Sequence, residues 1–183
     1  MLNVKDMIKD VLVSEEQIKK RIKEIALDIE RDFPDGDVIF IGVLKGSVIF
    51  VSDLMRAMNV NVTMDFMAVS SYGMSSESSG IVRILKDLDF DIENRDVVIV
   101  EDIIDTGNTL KYLYEYLRAR NPRNLKICCL LDKPERRKAD IKADYVGFSI
   151  PDEFVVGYGL DYAEIGRHLP YVGVLKEEVY KKV

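Results

Sequence analysis

Arg95 to Asp132 reads RDVVIVEDIIDTGNTLKYLYEYLRARNPRNLKICCLLD. Its first segment, RDVVIVED, is aliphatic without alternation, as in a strand buried on both faces. NTLKYLYEYLRAR reads as a helix and LKICCLLD as a second strand, so the stretch is a strand–helix–strand unit. Such a unit belongs to a parallel sheet with right-handed crossovers. DVIFIGVL (Asp37 to Leu44) is another continuous apolar run. It leads through a glycine and a serine into KGSVIFVSDLMRAM, which has a helical apolar face.

Outward from this centre the pattern becomes less regular. NVTMDFMAVSSYG reads as a strand, runs into the polar MSSESSG, and returns as IVRILKDL. These two strands suggest a hairpin with a long, mobile connection. YVGFSI, FVVGYGL and YVGVL read as short strands, and together with the hairpin they are expected to form an irregular flank. Near the N-terminus, Ser14 followed by Glu15, Glu16 and Gln17 is a capping box. The helix it opens carries Ile18, Ile22, Ile25, Ala26 and Ile29 at helical spacing and stops before Pro34.

The chain has 183 residues, a net charge of −6 and ordinary apolar and charged fractions, which suit one compact soluble domain. The acidic balance argues against broad nucleic-acid binding. No apolar run is long enough to span a bilayer. MLNVKDMIKDVLVSEEQ carries charges where a signal peptide needs an apolar core, so a cytoplasmic setting is expected. Cys128 and Cys129 are adjacent on a strand and therefore point to opposite faces, as buried structural thiols rather than a disulfide. With His168 the only histidine, they cannot make a metal site.

Ligands of parallel α/β sheets bind beyond the carboxyl ends of the strands. Three of those ends here carry GVLKGS, EDIIDTGNT and LLDKPERR. In the second, Asp105, Thr106, Gly107, Asn108 and Thr109 fall where strand becomes helix. Two hydroxyls, a glycine and the first helical amides make a cradle for an anion. A plainer reading has Asp105 or Thr106 as a helix cap. Capping does not call for Glu101 and Asp102 at the end of a buried strand, however. Two adjacent acids there suit diol hydroxyls or a hard cation such as magnesium. Cradle and carboxylates together describe a sugar-phosphate site, and neither GxxxxGK[ST] nor a GxGxxG after a strand is present to suggest a different phosphate loop.

VEDIIDTGNTL resembles the phosphoribosyl-pyrophosphate (PRPP) loop of the type I phosphoribosyltransferases, and is most similar to that of the hypoxanthine-guanine phosphoribosyltransferases. GVLKGS resembles their pyrophosphate loop, SSYG the start of their mobile hood, and LLDKPERR the segment with the purine-contacting lysine. PDEFVVGYGLDYAEIGRHLP resembles their C-terminal purine and pyrophosphate segment. These motifs run in order over most of the chain.

The resemblance implies an α/β, type I phosphoribosyltransferase fold: a mainly parallel twisted sheet flanked by helices, with a small hood subdomain and a mobile loop. It implies one domain over residues 1–183, with a core of about 37–150 and a hood built from the N-terminal segment and about 151–183. The implied reaction converts PRPP and hypoxanthine or guanine to IMP or GMP and pyrophosphate. By similarity, Asp105, Thr106, Gly107, Asn108 and Thr109 hold the 5′-phosphate, while Glu101 and Asp102 hold the ribose hydroxyls with magnesium nearby. Asp105 matches the general base at purine N7. Lys133 matches the donor to the 6-oxo group, which a lysine suits because it offers donors only. Phe154 matches the aromatic that stacks on the base, and Val155 a residue whose backbone reads the purine edge. Asp161 matches a ligand of a second magnesium, and the backbone near Val155 and Asp161 meets the purine 2-position. Lys45, Gly46 and Arg167 match pyrophosphate contacts, with a cis peptide often found between the positions of Leu44 and Lys45. Ser71 and Tyr72 match the hood. A homodimer or homotetramer is implied, with no nucleic-acid or membrane partner.

Two positions depart from the family pattern. Asn108 stands where some relatives carry lysine, and Gly159 where a larger residue is common, which is expected to loosen the base pocket. Other readings are a nucleotide-responsive RNA-binding regulator of the same fold and an enzyme acting on xanthine, adenine or a pyrimidine. Asp105 and the acidic balance oppose the first. Lys133 opposes adenine, Phe154 and GYGLDY favour a purine, and xanthine stays open because it shares the 6-oxo group.

Overall fold

The structure, a computed structural model, describes residues 4–71 and 82–180. Its main sheet has six strands in the order β4-β3-β2-β5-β6-β7: β2 (Val38–Leu44), β3 (Val62–Ser71), β4 (Val82–Lys86), β5 (Asp96–Ile104), β6 (Asn124–Asp132) and β7 (Tyr145–Ser149). All neighbours are parallel except β3 and β4, which form the expected antiparallel hairpin. The aliphatic runs occupy the centre, where β2 and β5 pair in register from Val38↔Asp96 to Gly42↔Val100. Residues 72–81, which include Tyr72 and the MSSESSG segment, lie outside the described residues.

Helices α1 (Glu15–Asp32), α2 (Val48–Ala57) and α3 (Asn108–Arg118) cover the sheet. α1 begins at the expected capping box: the Gln17 N–H donates to Ser14 Oγ at 3.2 Å and the Ser14 N–H to Gln17 Oε1 at 2.8 Å. Its buried Ile18, Ile22, Ile25 and Ile29 pack with Phe50 and Leu54 of α2 against Phe40, Val98 and Cys128. Leu110, Leu113 and Leu117 of α3 pack with Ile39, Ile99 and Ile127 in a second cluster. Cys128 and Cys129 therefore enter different apolar clusters as free, buried thiols, as expected.

A second, three-stranded antiparallel sheet has the order β1-β9-β8: β1 (Ile8–Val13), β8 (Val155–Val156) and β9 (Val172–Leu175). This revises two readings. YVGFSI does not join an irregular flank but extends the main sheet as β7, parallel to β6. FVVGYGL is a strand only at Val155–Val156, because Gly157, Tyr158 and Gly159 all take positive φ, at 103°, 49° and 103°.

The chain leaves β2 through α2 to β3 on one side and leaves β5 through α3 to β6 on the other. The loops after β2 and β5 thus diverge from adjacent strands. A crevice opens at such a switch point, and ligands bind there.

Candidate active site

Glu101 and Asp102 remain within β5, near its carboxyl end. Glu101 is buried, and burial first, then the neighbouring Asp102 charge, push its carboxyl well above the usual range. Burial also pushes Asp102 up to about 6, with Arg167 pulling downward and Asp161 upward. Asp102 Oδ1 accepts from the Ile103 N–H at 2.8 Å. Its Oδ2 lies 1.6 Å from where a Cβ on Gly46 would stand. Glycine is needed at position 46 so that the loop after β2 can close onto this carboxylate.

Beyond β5 the chain turns at Gly107, which has φ 82° and is the N-cap residue of α3 without a side-chain cap bond. Asp105 does not cap the helix, and Thr106 contributes only a long bond, its Oγ1 accepting from the Asn108 N–H at 3.5 Å. The loop is held from behind. Arg137 Nε donates to the Asp105 carbonyl at 3.2 Å, its Nη1 donates to the Ile141 carbonyl at 2.8 Å, and its Nη2 pairs with Asp132. The Thr106 carbonyl accepts from the Lys138 and Ala139 amides at 2.9 and 3.0 Å. The first amides of a helix have no intrahelical acceptors. Those of α3 border a cavity of about 120 Å³ lined by Glu101, Asp105, Thr106, Gly107 and Thr109. Asn108 is exposed at the rim, its amide 3.5 Å from Thr106 Oγ1.

Asp105 begins a row of alternating charges. Arg136 Nε stands 2.7 Å from Asp105 Oδ1, yet that buried oxygen accepts no hydrogen bond, so the contact is ionic and misaligned. Arg136 Nη1 lies 3.4 Å from Asp152 Oδ1, and Lys133 Nζ lies 3.7 Å from the same oxygen. The Lys133 side chain is only 9% exposed. A buried ammonium with one carboxylate at that distance has donors left for a ligand. Phe154 stacks on Tyr180 with ring centroids 4.9 Å apart and meets Tyr162 edge-on at 5.7 Å. Val155 pairs with Val174 in the small sheet, and Phe154 offers its carbonyl to the Leu175 N–H at 2.8 Å.

On the opposite side the Leu44–Lys45 peptide is cis. Lys45 Nζ contacts Glu164 at 3.1 Å. Arg167 Nη1 donates to the Gly159 carbonyl at 2.8 Å, and its Nη2 pairs with Asp161 at 2.7 Å. Gly159 does not loosen a base pocket: a Cβ there would meet the Gly46 carbonyl at 2.0 Å, so it packs against the loop after β2. Ser71 ends β3, its backbone paired with Val82. Arg136, Arg137, Asp152 and Glu164 were not singled out from the sequence. The arginine pair in LLDKPERR was the available signal, whereas Asp152 and Glu164 acquire partners only through tertiary contact.

A parallel sheet with an acidic strand end, a helix N-terminus that turns at glycine and a glycine loop closed onto a carboxylate suits a protein that handles sugar phosphates. The chain belongs to the phosphoribosyltransferases: the model of the phosphoribosyl transferase domain matches residues 10–163. Its relatives place it in the hypoxanthine-guanine branch. It is 55% identical over 178 residues to the hypoxanthine-guanine phosphoribosyltransferase of Bacillus subtilis, covering 97% of this chain and 99% of that one. The crystal structure of a hypoxanthine phosphoribosyltransferase from Staphylococcus aureus superposes with a TM-score of 0.95 at 51% identity over the whole of both chains. The hypoxanthine phosphoribosyl transferase of Trypanosoma cruzi reaches a TM-score of 0.91 at 46% identity, covering 96% of this chain and 95% of that one.

Proposed function

We propose that this chain carries out purine salvage, transferring the 5-phosphoribosyl group of PRPP to hypoxanthine or guanine to give IMP or GMP and pyrophosphate. The observation that carries the reading is the convergence of Glu101, Asp102, Asp105 and Gly46 at the switch point between β2 and β5. As the bond to pyrophosphate breaks, positive charge grows on the ribose ring and negative charge on the leaving group, so fixed charges of both signs are needed. The amides and hydroxyls of Thr106, Gly107, Asn108 and Thr109 hold the 5′-phosphate. Glu101 and Asp102 accept from the ribose hydroxyls, and Lys45, Gly46 and Arg167 hold the pyrophosphate. Lys133 donates to the purine 6-oxo group, Phe154 stacks on the base, and the Val155 backbone reads its edge. Asp105 takes the N7 proton, which becomes acidic as the ring bonds to ribose. Ser71 and Tyr72 begin the hood that excludes water from the activated sugar.

Among the described residues no three acidic, histidine or cysteine side chains gather into a metal cage. Hard oxygen donors at Asp102 and Glu101, both raised by burial, and at Asp161, which already pairs with Arg167, fit magnesium that brings most of its ligands with the substrate. When bound, magnesium supplies positive charge to the pyrophosphate oxygens.

The reading extends to one domain with its core over about 37–150 and a hood containing the small sheet, and to a cytoplasmic homodimer or homotetramer. Family membership supports the assembly, and no helix among the described residues is long and apolar enough to cross a membrane. The test is nucleotide formation from PRPP and magnesium with hypoxanthine, guanine, xanthine and adenine separately. Turnover with hypoxanthine or guanine and none with adenine is expected. No turnover with any 6-oxopurine refutes the reading.

A further inference from the structure

The pyrophosphate side of the site contains a carboxylate that none of these roles uses. Tyr162 and Ile165 bond across a two-residue turn, N–H to carbonyl, at 2.9 and 3.1 Å. The central residues are Ala163 at φ 50° and Glu164 at φ 66°. Two successive positive φ values define the type I′ turn, which asparagine and glycine adopt readily and alanine and glutamate do not. The turn directs the Glu164 side chain at two cations. Lys45 Nζ stands 3.1 Å from both carboxylate oxygens, and Arg167 Nη2 stands 3.4 Å from Oε2. The Glu164 amide donates to Asp161 Oδ2 at 2.8 Å, and Arg167 also pairs with Asp161. Lys45, Arg167, Asp161 and Glu164 therefore form a closed group with no formal net charge.

We propose that Glu164 is an internal anion of the pyrophosphate subsite. It occupies Lys45 and Arg167 while the site is empty and yields them to the pyrophosphoryl group, setting how tightly that group is held. The inference rests on the reading of Lys45 and Arg167 as pyrophosphate contacts. A neutralised cradle gains nothing from a second anion until its own is displaced, so the internal carboxylate weakens retention of free pyrophosphate after transfer. Its effect is modest, because Lys45 and Glu164 side chains are 68% and 67% exposed and water screens the pair. An exposed pair of this kind changes affinity roughly twofold to fivefold.

The test is the Glu164→Gln variant, which keeps the side-chain shape, with magnesium pyrophosphate titrated by calorimetry and assayed as an inhibitor against PRPP. The pyrophosphate dissociation constant should fall roughly twofold to fivefold at low ionic strength, and the difference should shrink with added salt. Glu164→Gly, which suits the positive φ, should tighten binding in the same direction. Unchanged or weaker pyrophosphate binding in both variants overturns the proposal. Lys45→Ala tells the two failures apart. If it binds pyrophosphate as wild type does, the cradle reading has failed and the inference has lost its footing. If it binds weakly while Glu164→Gln binds no tighter, the role of Glu164 alone has failed.

Discussion

Replacing Asp102 by asparagine removes a charge that the folded protein holds against its surroundings. The Asp102 carboxyl titrates at about 6 instead of 3.8, with burial as the leading cause. A raised carboxyl pKa means that over the interval between these values the folded chain keeps a proton the unfolded chain has lost. Stability therefore falls as pH rises from about 4 to about 6, and the deficit is complete above that range. One pKa unit is worth about 1.4 kcal/mol, and Asp102 retains some solvent contact, so the deficit at neutral pH is about 1–3 kcal/mol. Asparagine keeps the shape and the oxygen that accepts from the Ile103 N–H. It also removes the charge that helps raise Glu101, an effect of the same sign.

The Asp102→Asn protein is therefore expected to be more stable than wild type by about 1–3 kcal/mol at pH 7.5, while losing kcat/KM for PRPP. Urea unfolding at pH 7.5 and 4.5 measures the first effect, and the gap between the proteins should narrow to roughly a third at the lower pH. Saturating PRPP should narrow it at pH 7.5 as well, because a ligand that engages the carboxylate stabilises wild type more. A variant less stable than wild type at pH 7.5, or a gap independent of pH, would refute the argument.

Asp105→Asn should lower kcat by roughly 10²–10⁴, the range for loss of a general base, with a much smaller change in PRPP affinity; rapid-quench turnover and PRPP titration separate the two, and wild-type turnover removes Asp105 as the base. Asp152→Asn should raise KM for hypoxanthine at saturating PRPP. The Lys133–Asp152 separation of 3.7 Å corresponds to about 4.5 kcal/mol at an effective dielectric of about 20. Asp152 is half exposed, so screening reduces this to about 1 kcal/mol, or roughly a fivefold effect. An equal rise in KM for PRPP would mean that Asp152 does not act through the purine lysine.

The sequence disclosed the centre of the molecule because each signal there is local. Aliphatic runs mark β2, β5 and β6, the Ser14 and Gln17 pair marks α1, and the chemistry of Glu101 to Thr109 is contiguous. The small sheet was hidden because β1 pairs with β9, Ile8 opposite Leu175, across nearly the whole chain. β8 was overextended because VVGYGL has β-forming side chains, yet its glycines permit a left-handed turn that exposes none of this to a propensity argument. The ion pairs of Asp152 and Glu164 join segments whose proximity only the fold establishes. Glu101, Asp102 and Asp105 could be read as candidate site residues, but Asp152, Glu164 and the pairing of each with its cations could not.

These contacts divide the site into a stiff half and an adjustable half. Gly46 lies between Asp102, which occupies the space of its missing side chain, and Gly159, which abuts its carbonyl. The loop after β2, the end of β5 and the backbone at Gly159 are therefore packed at atomic contact, and movement toward one another is blocked. Close-packed atoms resist displacement steeply. Around the purine, by contrast, Asp105, Arg136, Asp152 and Lys133 are linked by ion pairs at 2.7, 3.4 and 3.7 Å, and all but Lys133 are nearly half exposed. Such pairs exchange partners for about 1 kcal/mol or less each. The sugar phosphate is an invariant of the proposed reaction and meets the packed half. The base in that reaction presents its 6-oxo group to Lys133 and its N7 to Asp105, groups that hypoxanthine and guanine share, so the adjustable charges serve what the two bases have in common and not the 2-position at which they differ.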